Sequence, residues 1–196
     1  APTSSKPAVT KAPRPTTEPP LSKCKDASAC ETACRSGDQP ACVGFGKQLA
    51  AGKGVSKDVR RAHELYATAC TAGDARGCFE LGLDLTDGTG ALKDAGAGAT
   101  AIEKACTLGW SQACATYGGM LLEGTGVVKD ASRAFEMFDR ACADDNVLGC
   151  QRLGDAFLNG DGVAKDAVKA TSIYQWLCSN QQGDACFMLG DRYRTG

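Results

Sequence analysis

Apolar and small residues recur along this 196-residue chain in steps of three, one and three. Cys42, Phe45, Gly46 and Leu49 follow that step, and so do Ala62, Leu65, Tyr66 and Ala69. Each set lies on one face of an α-helix, which predicts a helix A over roughly 41–51 and a helix B over roughly 59–71. The same offsets return every 36 residues, giving units 40–75, 76–111, 112–147 and 148–183. A half-repeat cap at 24–39 precedes them and a half unit at 184–196 follows. Neither helix of a unit can bury its apolar face alone, so the units must stack, and the expected fold class is all-α, an array of antiparallel helix pairs.

The polar punctuation agrees with that division. Between A and B lies Gly52-Lys53-Gly54-Val55-Ser56-Lys57-Asp58, repeated as GTGALKD at 88–94, GTGVVKD at 124–130 and GDGVAKD at 160–166. The glycines permit positive φ where helix A ends, and Asp58, Asp94, Asp130 and Asp166 are placed to cap helix B. A phosphate loop is not indicated, because GxxxxGK[ST] is absent and no strand precedes the loop. Asn159-Gly160-Asp161-Gly162 lacks the ligand spacing and terminal Glu of a calcium loop. The invariant column Gly46, Gly82, Gly118, Gly154 and Gly190 predicts close helix packing, with the equally small Ala62, Gly98, Ala134 and Ala170 placed opposite it.

Cysteine follows the same period. Cys34, Cys70, Cys106, Cys142 and Cys178 lie 36 residues apart, and Cys42, Cys78, Cys114, Cys150 and Cys186 each follow eight later. Twelve cysteines with one histidine, spaced C-x7-C rather than in zinc knuckles, read as a disulfide framework in an oxidising compartment outside the cytoplasm. On the order of ten thousand complete pairings are possible, and the period leaves two. Joining helix A to helix B of one unit, 28 residues on, strands Cys34 and Cys186. Closing each C-x7-C uses all ten and leaves Cys24 for Cys30, so that pairing is expected, each bridge fixing the turn between units. Closing so short a loop stabilises by about 2–3 kcal/mol in the chain-entropy model. Cys30 stands in the column of Tyr66, Ile102, Phe138 and Tyr174, as a cap that replaces a core side chain.

Residues 1–23 carry six of the seven prolines among Thr, Ser and Lys, which predicts a disordered linker and a possible N-terminal tether. The chain starts Ala-Pro-Thr-Ser with no apolar signal core, as though a targeting segment had been removed, and no run is apolar enough to span a membrane. Twenty-two Lys and Arg against 23 Asp and Glu give no net positive field, so no nucleic-acid partner is expected.

The pattern Cys…Leu-Gly…Leu…Gly-x-Gly-Val-x-Lys-Asp…Ala…Tyr…Ala-Cys resembles the Sel-one-like repeat, a relative of the tetratricopeptide repeat, over about 24–196. The period with C-x7-C is similar to the cysteine-rich branch, the Helicobacter cysteine-rich proteins. That resemblance implies an α/α superhelix of disulfide-stapled helix pairs, exported by bacteria, whose concave helix-A surface holds peptides or other partners. It also implies, as an alternative, a cell-wall or penicillin-binding protein with weak β-lactamase activity. The residues add little to that reading: the one S-x-x-K, Ser22-Lys23-Cys24-Lys25, sits at the linker boundary with no SDN or KTG beside it. No catalytic residue, metal ligand or cofactor is assigned, and a purely structural spacer is the second alternative.

If helix A lines the binding surface, its residues off the core stripe are the candidates: Lys47, Glu80, Asp84, Asp87, Thr116, Met120, Glu123, Arg152, Asp155, Asn159 and Arg192. The middle units supply mostly acids, which suits a basic or polar peptide. Trp110 stands where other units have Asp74, Asn146 and Gln182, and Trp176 where they have Thr68, Lys104 and Arg140. Both columns are expected to be exposed, which makes each Trp a candidate interface anchor. His63 is expected on the outer side of helix B with a structural role. The reading is a monomeric, extracytoplasmic repeat scaffold that binds a protein or peptide.

Overall fold

The computed structural model describes Cys24, residues 26–180 and Cys186. The linker, residues Ser22, Lys23 and Lys25 of S-x-x-K, Arg192 and most of the final half unit lie outside the described residues. Every regular element among the described residues is an α-helix: α1 Ala27–Arg35, α2 Gln39–Ala51, α3 Val59–Thr71, α4 Ala75–Asp87, α5 Ala95–Thr107, α6 Ser111–Glu123, α7 Ala131–Ala143, α8 Val147–Asn159 and α9 Ala167–Ser179. From α2 on, every helix has 13 residues, and equivalent helices start 36 residues apart.

By its contacts the chain divides into two units. In the N-terminal unit α1 packs on α2, α2 on α3, α3 on α4 and α4 on α5. Its core gathers Val43, Phe45 and Leu49 from α2 with Ala62, Tyr66 and Ala69 from α3 and Cys30 from α1. Cys30 is buried, as its place in the core column predicts. In the C-terminal unit α7 packs on α8 and α8 on α9, around Phe138, Leu153, Ile173, Tyr174 and Leu177.

Each turn from A to B is the same hydrogen-bonded object. Asp58, Asp94, Asp130 and Asp166 accept the amides of Arg61, Ala97, Arg133 and Lys169 at 2.9–3.0 Å, the N-cap bond that their spacing predicts. Their own amides donate back to Leu49, Leu85, Leu121 and Phe157 at 2.8–3.0 Å, closing the turn on helix A. The second loop glycine has two reasons to be glycine. Gly90 and Gly126 lie at φ 79° and 70°, and a Cβ on either would strike the carbonyl of Val59 or Ala95 at the start of the preceding B helix.

Helix A has caps that the sequence reading missed. Asp38, Asp74 and Asn146 accept the amides of Ala41, Gly77 and Gly149 at 3.1, 2.7 and 2.9 Å. The glycine column also faces something other than the small column expected opposite it. A Cβ on Gly46 would lie 2.6 Å from Tyr66 Cε1 and one on Gly154 2.8 Å from Tyr174 Cζ, so the glycines make room for an aromatic ring. Among the described residues Gly82 differs: it meets Ile102 in place of a ring, and the small column through the Gly98 carbonyl at 2.8 Å.

The disulfides Cys24–Cys30, Cys34–Cys42, Cys70–Cys78, Cys142–Cys150 and Cys178–Cys186 form as expected, with Cα–Cα separations of 4.3–5.1 Å. Cys106 and Cys114 are disulfide-bonded too.

Candidate partner-binding face

Helix A buries its Cys/Phe/Gly/Leu stripe and turns the remaining residues outward or toward the next helix, which decides what each candidate can do. On α4, Glu80 is held at 2.6 Å by Lys47 of α2, a pair that joins consecutive A helices. One turn on, Asp84 lies beside His63 of α3, with Oδ2 3.5 Å from Nδ1. Asp87, one turn further, is exposed.

His63 does not sit on an outer side. α4 packs over that face of α3, leaving the His63 side chain 18% exposed and Asp84 14%. Neither facing atom makes a hydrogen bond. Burial pushes the Asp84 carboxyl up to about 6; His63 opposes the shift, and Glu80 and Asp87 add to it. The Tyr66 hydroxyl is raised for the same reasons, first by burial and then by Glu80 and Asp84. The α4 face is therefore a strip of three acids near one another, strained toward protonation at its middle member.

Across the C-terminal unit the candidates scatter. Arg152, Glu123 and Asn159 are exposed, and Asn159 Nδ2 donates to Asp161 Oδ2 at 3.2 Å. Asp155 is half-buried and accepts the Tyr174 hydroxyl at 2.6 Å, so it serves the core of its own repeat. Thr116 is half-buried, while Met120 is only 6% exposed and belongs to the core.

The tryptophans differ from expectation. Trp110 is 9% exposed, and the Arg76 guanidinium lies 4.6 Å from its ring centroid. Its column is the N-cap of helix A, which an indole cannot serve because it has no acceptor oxygen. The chain has instead turned the side chain inward, where Nε1 has no hydrogen-bond partner. Trp176 is half-buried, and its column is not a bare surface either: Lys104 there donates to the Cys70 carbonyl at 2.8 Å, at the end of α3. Recurring Asp, Asp and Asn immediately before each A helix were the signal that could have identified the Trp110 column as a cap.

The Sel1 repeat model matches residues 46–74, 111–146, 147–175 and 183–196, more than half of the chain. The stretch 75–110, which carries Asp84, lies outside those matches. No curated protein matches the sequence. Among solved structures, a protective antigen present in uropathogenic Escherichia coli strains, with an SLR fold, superposes with TM-score 0.82 at 28% identity, over 87% of this chain and 37% of that one. A Sel1 repeat protein from Oxalobacter formigenes gives TM-score 0.77 at 26% identity, covering 85% of this chain and 68% of that chain. Cysteine-rich protein B of Helicobacter pylori gives TM-score 0.54 at 29% identity, covering 70% of this chain and 99% of that one. This chain thus spans little more than a third of the E. coli antigen and nearly the whole length of the Helicobacter protein. The likeness identifies the fold class as an α/α solenoid of disulfide-stapled helix pairs.

Proposed function

The chain belongs to the Sel1 repeat family, and from that premise we propose that it is an extracytoplasmic, monomeric scaffold that holds a basic protein or peptide segment on its helix-A face. Sel1 repeats serve protein interaction. The observation that carries the reading is the division of labour within each repeat. The caps of the B helices, the turn bonds and the disulfides recur, while the residues of helix A off its core stripe change from repeat to repeat. On α4 the acids are Glu80, which Lys47 holds, Asp84, which faces His63, and the exposed Asp87. Incoming Lys or Arg side chains would take the place of Lys47 at Glu80 and meet Asp87 two turns along.

The disulfides support a location outside the cytoplasm, where thiols stay oxidised. No helix among the described residues is long and apolar enough to cross a membrane. Attachment through the N-terminal linker, as a lipoprotein or after cleavage of a signal, remains part of the proposal.

Selection from a displayed peptide library tests it. The proposal predicts enrichment of Lys- and Arg-containing peptides that bind the wild type and bind the Glu80→Gln/Asp87→Asn variant at least about tenfold more weakly, the loss expected for one charge-assisted contact. Enriched peptides that are acidic, or that bind both forms equally, contradict it.

A further inference from the structure

The turns from helix A to helix B carry the opposite sign to the α4 face, although the chain as a whole stands at −1. In the N-terminal unit Lys53, Lys57, Arg60 and Lys93 are all exposed, and none has an ion pair among the described residues. The carboxylates of the same turns, Asp58 and Asp94, are exposed too, but each spends one oxygen on the amide of Arg61 or Ala97. With Arg60 beside them, the cations outnumber these acids by four to two.

Amid them stand two apolar side chains with almost no protein around them, Leu92 at 92% and Val128 at 89% exposure. They occupy one register position, 36 residues apart, and a lysine follows each. Gly90 seats the turn of Leu92 on the start of α3, and Gly126 seats that of Val128 on the start of α5, so both project from equivalent points of successive turns. Beside Leu92 an open cleft of about 600 Å³ lies between its turn and the start of α3, lined there by Lys57, Asp58, Val59 and Arg60.

We propose that this edge of the N-terminal unit docks on an anionic lipid surface. Leu92 and Val128 enter the boundary between headgroups and acyl chains, and Lys53, Lys57, Arg60 and Lys93 meet the phosphates. The charge is complementary, and the exposure decides against a folded partner. A side chain that keeps nine-tenths of its surface needs a partner that closes round it, which a fluid acyl layer does without a matched pocket. Each cation near the surface contributes about fivefold in partitioning, so four give weak, salt-sensitive binding. The surface adjoins the end of α4 at Gly88 and stands whether or not the α4 face binds peptide.

Co-sedimentation of the full disulfide-bonded chain with vesicles tests the proposal. At low salt the protein is expected to sediment with phosphatidylcholine–phosphatidylglycerol vesicles, to stay in solution with phosphatidylcholine alone, and to be released by added salt. Leu92→Ser/Val128→Ser and Lys57→Glu/Arg60→Glu should each weaken binding by about tenfold or more while leaving the melting temperature in place, because all four sites are exposed. Lys165→Glu, in the C-terminal unit, should not matter. Failure to sediment with the anionic vesicles overturns the proposal, and so does binding that neither double variant changes. If soluble polyglutamate displaces the vesicles equally from wild type and from Leu92→Ser/Val128→Ser, the surface serves an acidic protein and the lipid assignment is wrong.

Discussion

The interface between α3 and α4 and the one between α7 and α8 share a register and differ in chemistry. In the N-terminal unit the two facing positions hold His63 and Asp84, buried beside each other without a hydrogen bond. In the C-terminal unit the equivalent positions hold Phe135 and Ala156, and Phe135 meets the edge of Phe157 with ring centroids 5.3 Å apart. Backbone, caps and disulfides are alike on both sides. The side chains between a B helix and the next A helix are thus free to vary, because the bridge across the turn holds the register that packing would otherwise have to hold.

The largest effect expected from breaking this comparison is at the apolar interface. Phe157→Ala should cost about 3 kcal/mol, since Phe157 is nearly buried and loses both its transfer energy and the edge contact with Phe135. Chemical denaturation with the disulfides intact measures it.

Grafting the C-terminal residues onto the polar interface should act in the other direction. His63→Phe/Asp84→Ala is expected to stabilise by about 1–2 kcal/mol, because two buried, unbonded polar atoms give way to carbon. A lower stability would mean that the His–Asp pair is better satisfied than its geometry indicates.

The polar interface also predicts a pH dependence. The Asp84 carboxyl titrates at about 6 in the folded chain, above its unfolded value of 3.8, so the folded state binds more protons between those limits. Stability should therefore fall as pH rises through that window and level off above it. The loss is up to about 3 kcal/mol, and it should be absent in Asp84→Asn. Melting curves across the window, compared between the two proteins, give the difference.

The smallest effect lies at the turn before α8. Asp145 adopts φ 59° where the three preceding turns place Gly37, Gly73 and Gly109. Asp145→Gly should stabilise by about 0.5–1 kcal/mol, seen as a small rise in melting temperature.

What the sequence revealed follows from period. Cys, Gly and Asp recurred at fixed spacing, so the helices, the B-helix caps and the cysteine pairing could be read from alignment of the chain with itself. The positions that misled were those where one repeat departs from the rest. A Trp in a cap column looks like a surface anchor, because alignment shows what the other repeats expose and not that Trp110 has turned inward onto Arg76. Met120 and His63 were misplaced for a related reason. A helix wheel drawn for one pair of helices omits the next helix, and for His63 it is that next helix, α4, which covers it. The acids of α4 were legible as residues, but the burial that raises Asp84 came only from the packing of α3 on α4.

The central claim is that a constant scaffold carries a variable helix-A face where the partner sits. Hydrogen exchange of the backbone amides with and without a selected basic peptide tests it most directly. The account predicts new protection along α4, from Glu80 to Asp87, with α3 and α5 unchanged. Protection confined to the B helices, or none at a saturating peptide concentration, would contradict it.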